Sequence, residues 1–237
     1  QEAAEFLDRG YCNRVASLAV GRCRYGLMLK QDGMVFDDGV IARLAEHHFL
    51  LTTTTGGAAR VVAWLEEWLQ TEWPALRVYC TSVTEQYAQI AVSGPHSAAL
   101  LAPLCNIDVH AMPFMSVRSG EVAGIAARVL RLSFAGGPGY EIAVPAGRGY
   151  ELWTTLMGAG ERFSITPYGT EAMHVLRAER GFIIVGQDTD GSVTPIDLGF
   201  DRLVATDKLF IGKRSLARPE MRRTDRRQLV GLLAGDP

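Results

Sequence analysis

Two adjacent carboxylates, Asp37 and Asp38, follow an apolar pair and precede Gly39, and they are the first candidates for chemistry in this sequence. Neighbouring side chains of a strand point to opposite faces, so at most one of the two can face a pocket. A carboxylate in that position could stabilise a bound or developing cation. Taken alone, however, an acidic pair before a glycine is more typical of a solvated turn.

Four consecutive threonines end the next apolar segment, and three of them, Thr52, Thr53 and Thr54, are candidate ligand contacts. If their strand pairs with the strand of Asp38, their hydroxyl and backbone groups lie beside that carboxylate. The alternative is that these β-branched residues serve only as strand formers, because Thr has a high β-propensity. The sequence leaves both interpretations open.

Glu141 is a further candidate, since it interrupts an apolar strand that runs from Tyr140 to Val144. A carboxylate in such a strand is half-buried and needs hydrogen-bond donors. Two N–H groups on a heterocycle would satisfy it. The preceding segment 136–139 lacks both the Lys-Ser/Thr ending of a phosphate loop and a following helix, so it predicts a hairpin turn.

The elements that must position these residues are predicted from hydrophobic periodicity and from turn residues. The predicted strands are 27–29, 34–36, 49–54, 76–82, 87–92, 116–118, 122–125, 128–134 and 140–144. The predicted helices cover 1–7, 61–70, 95–104, 152–158 and 171–180. Hairpins joined to single helices, twice over, predict an α+β fold with mostly antiparallel sheets and packed helices.

Composition is that of an ordinary soluble globular protein, with 237 residues, 48% hydrophobic, 21% charged and a net charge of −2. This balance gives no field for nucleic acid or an anionic membrane, and no apolar stretch approaches the roughly 20 residues that span a bilayer. Four cysteines without a C-x-x-C pair and five histidines without metal-binding spacing predict no metal site and a reducing, cytoplasmic location. The arginines between 218 and 227 are interrupted by acidic residues and predict a solvated connector.

Three longer segments keep the order and spacing of a known family. In Tyr25–Asp38 a tyrosine precedes the second member of the acidic pair by 13 positions, and Ser133–Glu141 contains an aromatic residue, a glycine-rich turn, a second aromatic residue and Glu. Together they resemble the folate-binding aminomethyltransferase fold of the glycine-cleavage T-protein. The third segment, Gly169–Gly191, is similar to the sarcosine oxidase branch of this family, and it carries Met173 where the T-protein has Arg.

The resemblance implies a role for each candidate. Asp38 would act as the catalytic carboxylate beside the reactive nitrogens of tetrahydrofolate, and Glu141 would hold the pterin edge with two hydrogen bonds. The threonines 52–54 would touch the pterin. The aromatic residues implied to surround the folate are Tyr25, Phe134, Tyr140 and Phe182.

The implied activity is carbon capture in the α subunit of a heterotetrameric sarcosine oxidase. A folate nitrogen would take the one-carbon unit of oxidised sarcosine to form 5,10-methylenetetrahydrofolate, with release of glycine. FAD, FMN and NAD are expected elsewhere in the full enzyme, and its β, γ and δ subunits are the expected partners. The alternatives are a glycine-cleavage aminomethyltransferase and a folate-binding regulatory or scaffold module without transfer activity.

Both ends of the sequence predict a chain cut from a longer one. No initiator Met precedes the helical pattern at 1–7, and residues 227–233 alternate like a strand. We therefore expect an aminomethyltransferase-like domain over 1–222 whose N-terminal part is missing. Residues 223–237 would then begin a C-terminal β-barrel domain.

Overall fold

Two antiparallel sheets form the framework of the computed structural model, which describes residues 2–232 and 235. The strands are β1 Cys23–Leu29, β2 Val35–Ala45, β3 His48–Leu51, β4 Tyr87–Ser93, β5 Ser116–Val122, β6 Ile125–Arg131 and β7 Gly139–Pro145. The first sheet has the order β1-β2-β3 and the second the order β4-β7-β6-β5. All strand pairs in these two sheets are antiparallel, which confirms the predicted α+β class.

Amphipathic helices cover the outer faces of both sheets. The α-helices are α1 Glu2–Gly10, α2 Ala58–Thr71, α3 Ser97–Leu101, α4 Gly149–Gly160, α5 Thr170–Glu179 and α6 Lys213–Leu216. Phe6 of α1 and Leu65 of α2 pack with Ile41 on the first sheet. Leu101 of α3 and Leu152 of α4 are buried in the core on the outer face of the second sheet. Burial of these apolar side chains supplies the main force that holds the helices in place.

The inner faces of the two sheets pack against each other through a cluster of buried apolar side chains, which we call the interface cluster. Its buried members are Cys23, Ala42, Val117, Leu130 and Leu132. Backbone hydrogen bonds also join the two sheets at the edge of this cluster. For example, the N–H of Cys23 donates to the carbonyl of Met115 at 2.8 Å. The two inner faces are therefore held at a fixed separation.

Several predicted strands were wrong in extent or existence. Residues 76–82 form no strand. Leu76, Val78 and Cys80 pack against the apolar cluster beneath α1 and α2, and the side chains between them are exposed. The alternation thus reflects packing on helices without a neighbouring strand. The predicted strand 116–118 lies in β5, whereas the predicted strand 122–125 is the turn that joins β5 to β6, with positive φ angles at Ala123 and Gly124.

The chain after residue 222 also differs from the expectation. Residues 227–232 form no strand, and Leu233, part of the predicted strand, lies outside the described residues. The backbone N–H of Leu229 donates to the carbonyl of Asp197 at 2.8 Å, so this segment runs along a loop. A lone alternating segment has no strand to pair with in the described chain. The assignment of 223–237 to a second domain stays a prediction.

Gly39 of β2 is a position where the fold requires the absence of a side chain. A Cβ atom there would lie 1.9 Å from the carbonyl oxygen of Thr52 in the neighbouring segment. We expect Gly39→Ala to reduce the free energy of unfolding by about 3 kcal/mol, because overpacking forces the backbone apart. Urea unfolding measures this effect. Gly56→Ala is the matched control, since a Cβ at Gly56 meets nothing within 4 Å, and equal stability of the two variants would contradict the prediction.

Candidate functional site

Asp38 and Tyr25 form a hydrogen-bonded pair on the inner face of the first sheet. The Tyr25 hydroxyl donates to Oδ2 of Asp38 at 2.7 Å, and Asp38 is only 8% exposed. Burial raises the pKa of Asp38 to about 6; the charge of Asp37 adds to this rise and the Tyr25 hydrogen bond opposes it. A carboxylate with this pKa is mostly ionised at neutral pH and can still accept a proton, which suits a general base.

Asp37 points to the opposite face of β2, as the strand alternation predicted, and it is fully buried. Its Oδ1 accepts hydrogen bonds from the backbone N–H groups of Asp38 at 2.9 Å and Thr54 at 3.0 Å. Its Oδ2 accepts from the Thr54 hydroxyl at 2.9 Å and from Arg60 of α2 at 3.1 Å. Asp37 therefore joins β2 to the start of α2, and the solvated turn is excluded for both carboxylates.

The threonines 52–54 lie beside β2, as expected, but their hydroxyl groups bond within the protein. Oγ1 of Thr52 accepts from the N–H of Val40 at 2.8 Å, and the Thr53 hydroxyl donates to the carbonyl of Thr54 at 3.0 Å. The predicted strand 49–54 ends at Leu51, because the chain then turns so that Thr54 reaches Asp37. Their contact with the pterin stays a prediction.

Glu141 lies on the inner face of the second sheet and is half-buried. It is paired with Leu130 of the interface cluster across the strands β6 and β7, so the two side chains share a face. Gln89 of β4 donates to its Oε2, and within residues 2–232 no other protein donor bonds to this carboxylate. Burial raises the pKa of Glu141 to about 7.

Asp38 and Glu141 thus lie on sheet surfaces that face each other across the interface cluster. Asp38 and Ala42 are on the same side of β2, and Ala42 is a member of that cluster. Burial raises the pKa of Cys23 to about 12; Arg22 opposes the rise, and the charge of Glu141 on the facing sheet adds to it. Two carboxylates with raised pKa values therefore approach one interface from opposite sides.

Phe134 and Phe182 are brought together as a stacked pair, with ring centroids 6.0 Å apart and planes at 20°. Phe182 is 41% exposed, so its ring has one face available to a ligand. Arg177 of α5 fixes the loop that carries it, since its guanidinium donates to the Phe182 carbonyl at 3.0 Å and forms an ion pair with Asp188. The pair is a flat aromatic wall of the kind that stacks on heterocycles.

Tyr140 is placed differently from the expectation. It lies in the core on the outer face of β7 and is 1% exposed, and its hydroxyl donates to the carbonyl of Val109 at 2.8 Å. Because it alternates with Glu141 along the strand, the two side chains cannot face the same ligand. Tyr140 is therefore a core residue, and the predicted contact with folate does not fit its position.

A cavity of about 740 Å³ adjoins the site along β4, and His96 is its only His, Lys, Arg, Asp or Glu among the described lining residues. The lining also includes Gln89, Ser93, Trp153, Met157, Tyr168 and Met173. Gln89 links it to Glu141, because the same side chain donates to that carboxylate. The volume lies within the range of small-molecule sites.

Three residues of the site carry no local signal in the sequence. Asn13 is buried and pins β1, since its amide donates to the Tyr25 carbonyl at 2.9 Å and accepts from the N–H of Leu27 at 3.1 Å. Phe200 places its ring edge on Tyr25, with centroids 5.9 Å apart. Gln89 reaches Glu141 from the neighbouring strand. Each acts through a contact between segments distant in sequence, which periodicity does not reveal.

Two further properties concern metals and membranes. Within residues 2–232 and at residue 235, no cluster of three or more His, Cys, Asp or Glu side chains has the arrangement of a metal site. In the same part of the chain, no helix is both long and apolar enough to span a membrane.

The chain belongs to the family of the GCVT N-terminal domain, whose family model matches residues 1–208. Among its relatives, the sarcosine oxidase subunit alpha of Corynebacterium sp. (strain P-1) is 57% identical over 239 residues, which cover 99% of this chain and 25% of that protein. The chain thus spans about a quarter of the length of that relative.

Relatives named for the transferase are more distant but match most of the chain. The aminomethyltransferase of Streptomyces coelicolor (strain ATCC BAA-471 / A3(2) / M145) is 31% identical over 237 residues, which cover 98% of this chain and 63% of that protein. The crystal structure of glycine cleavage system aminomethyltransferase T from Bartonella henselae superposes with a TM-score of 0.77 and 27% identity, covering 91% of this chain and 57% of that one. The predicted fold is therefore confirmed.

Proposed function

We propose that this chain is the part of a sarcosine oxidase α subunit that binds tetrahydrofolate and captures the carbon of oxidised sarcosine. The observation that carries the proposal is the presence of Asp38 and Glu141, both with raised pKa values, on facing surfaces of the two sheets. Family membership and the identity to the Corynebacterium subunit support it.

The residues present fit the pterin ring of tetrahydrofolate. Glu141 is an acceptor-only carboxylate when ionised, and it receives one protein hydrogen bond, from Gln89. Two adjacent N–H donors at the edge of a pterin would complete its hydrogen bonding. The stacked rings of Phe134 and Phe182 offer a flat apolar wall, and the cavity along β4 lies beside Gln89, which bonds to Glu141.

The chemistry of transfer assigns a role to Asp38. Bound tetrahydrofolate supplies the nitrogens that take up the carbon. The electrophile is the iminium of formaldehyde and glycine, and the negative charge of Asp38 stabilises this cation. The reaction would require two protons to leave the attacking nitrogens and two to reach the departing nitrogen as glycine forms. Asp38, with its pKa near 6, can hold a proton between these positions at neutral pH.

The rest of the enzyme is part of the same proposal. We place oxidation of sarcosine, with FAD, FMN and NAD, outside this chain, and we expect assembly with β, γ and δ subunits in the cytoplasm. The second candidate is a glycine-cleavage aminomethyltransferase, which the match to the Streptomyces coelicolor enzyme favours. Formation of 5,10-methylenetetrahydrofolate from sarcosine and oxygen by the intact enzyme distinguishes the two, because a glycine-cleavage enzyme does not oxidise sarcosine.

Replacement of Glu141 tests the folate site. We expect Glu141→Gln to weaken tetrahydrofolate binding about 10- to 100-fold, since hydrogen bonds to a charged acceptor contribute roughly 1.5–3 kcal/mol. Wild-type affinity should rise as the pH increases through about 7, because Glu141 then loses its proton and becomes the acceptor. Calorimetry with the intact enzyme measures both effects.

The control for this variant is Glu85→Gln, which removes an exposed carboxylate just before β4. It should leave the affinity and its pH dependence unchanged. If Glu141→Gln bound tetrahydrofolate as tightly as the wild type at pH 8, Glu141 would not hold the pterin. The assignment would also be contradicted if Glu141→Gln abolished the pH dependence of tetrahydrofolate binding without weakening the binding. In that case the ionised carboxylate would contribute nothing to the affinity.

A further inference from the structure

A short turn after residue 192 lies over the Tyr25–Asp38 pair. The ring of Phe200 meets the ring of Tyr25 edge-on, with centroids 5.9 Å apart and planes at 68°. Tyr25 in turn donates to Asp38 at 2.7 Å. Phe200 thus packs on the phenol that bonds to the carboxylate, and it restricts the position of that ring.

The turn that carries Phe200 is closed by its own backbone hydrogen bonds. The N–H groups of Leu198 and Phe200 both donate to the carbonyl of Pro195, at 3.2 and 2.8 Å. At its start, the carbonyl of Val193 accepts from the N–H of Val35 at 2.9 Å, which joins the segment to the first residue of β2. Displacement of this turn would therefore displace Phe200 relative to the first sheet.

A buried ion pair fixes the same turn from the other side. Asp197 is 2% exposed, and Arg226 donates to its Oδ1 at 2.9 Å and to its Oδ2 at 2.5 Å. The N–H of Thr194 also donates to Oδ2 at 2.8 Å. Burial alone would raise the pKa of Asp197, but the hydrogen bonds from Arg226 and Thr194 outweigh it and hold the pKa below its usual range.

The arginine concerned belongs to the segment that the sequence predicted to be a solvated connector. Arg218, Arg222, Arg223 and Arg227 are exposed, whereas Arg226 is half-buried and forms the two-point contact with Asp197. A guanidinium that binds a carboxylate at two points fixes geometry as well as charge. This arginine therefore has a distinct structural role.

We propose that Phe200 is a positioning residue for the transfer step, because its ring holds the Tyr25 phenol on Asp38. The Asp197–Arg226 ion pair fixes Phe200 through the intervening turn. This inference rests on the proposed function of Asp38. It assigns to Phe200 and to the Asp197–Arg226 ion pair the role of keeping Tyr25 in place on that carboxylate.

The surroundings of Asp38 give this contact a measurable consequence. The titratable groups that interact electrostatically with Tyr25 or Asp38 are Asp37 on the other face of the same strand, and Tyr11 and Cys12 after α1. Arg60 of α2 bonds to Asp37. Burial is the main cause of the raised pKa of Asp38. Loss of the Phe200 ring frees the Tyr25 phenol, and because the hydrogen bond from Tyr25 lowers the pKa of Asp38, that pKa should rise when the bond is weakened.

The first test is Phe200→Ala in the intact enzyme. We expect the rate of 5,10-methylenetetrahydrofolate formation to fall about tenfold and its acidic pH limb to move up by about one pH unit, with the affinity for tetrahydrofolate changed less than threefold. Phe200→Tyr should restore the wild-type profile. Phe200→Leu keeps most of the apolar volume but removes the aromatic ring. It is expected to shift the acidic limb in the same direction, and it provides the test if the alanine variant does not fold.

The second test compares Arg226→Gln with Arg223→Gln, which removes an exposed arginine three positions away. Arg226→Gln should shift the pH profile in the same direction as Phe200→Ala, and Arg223→Gln should not shift it. An unchanged pH limb in Phe200→Ala or in Phe200→Leu overturns the proposal. If Asp38→Asn retains full transfer, the proposed function itself fails; if Asp38→Asn is inactive and the Phe200 variants are unchanged, only the positioning role fails.

Discussion

Asp38→Asn is expected to lower the formation of 5,10-methylenetetrahydrofolate by about 10²- to 10⁴-fold in the intact enzyme, the range that a positioned acid–base group contributes. The substitution preserves the size of the side chain and its hydrogen bond from Tyr25. It removes the negative charge that stabilises the iminium and the site that accepts a proton. The expected loss therefore reports on chemistry and leaves the fold intact.

The same experiment separates transfer from oxidation. Sarcosine-dependent peroxide formation should remain near the wild-type level in Asp38→Asn, because we place the oxidation outside this chain. The matched control is Asp108→Asn, which changes an exposed aspartate that only accepts an N–H from Ala111 at 3.1 Å. Equal loss of peroxide and of methylenetetrahydrofolate, with the subunits still assembled, would refute this division of labour.

Asp37→Ala is expected to have the largest effect on stability, a loss of about 3–5 kcal/mol in the free energy of unfolding. The carboxylate is fully buried and accepts four hydrogen bonds from Asp38, Thr54 and Arg60. Its removal leaves two buried N–H groups and a hydroxyl without an acceptor, and each such group costs roughly 1–3 kcal/mol. Urea unfolding monitored by tryptophan fluorescence measures the change.

Two further variants are needed to interpret the change in the free energy of unfolding. Asp37→Asn keeps most of the acceptor geometry and should recover about half of the loss, whereas Asp108→Ala at the surface should cost less than about 1 kcal/mol. Asp37→Asn should also move the acidic limb of the transfer reaction to lower pH, because the charge of Asp37 contributes to the raised pKa of Asp38. A stability loss below 1 kcal/mol for Asp37→Ala would show that β2 does not depend on this carboxylate.

The mispredicted segments show why local patterns are ambiguous. Residues 76–82 alternate as a strand does, but the apolar half of the pattern is buried against helices α1 and α2. Any surface that buries every second side chain produces the same sequence, so alternation does not identify the partner. The family resemblance placed Tyr140 at the folate, but strand alternation turns the neighbour of Glu141 to the other face, where Tyr140 is buried in the core.

The sequence by itself determined which residues could do chemistry and which side of a strand each would take. Side-chain alternation is a property of the extended backbone, so the opposite orientations of Asp37 and Asp38 follow from their adjacency. The half-buried state of Glu141 follows in the same way from its apolar neighbours. The family also follows from sequence, because the Tyr-to-Asp spacing and the glycine-rich turn before Glu are local motifs.

Only the tertiary structure decided that these carboxylates meet across one interface and what holds them there. The packing of two sheets through Cys23 and Leu130 brings Asp38 and Glu141 to facing surfaces. Phe200 reaches Tyr25, and Arg226 reaches Asp197, by closure of long loops. The free energy of such contacts depends on the packing of the whole domain, and no local periodicity encodes which distant residue will complete a buried site.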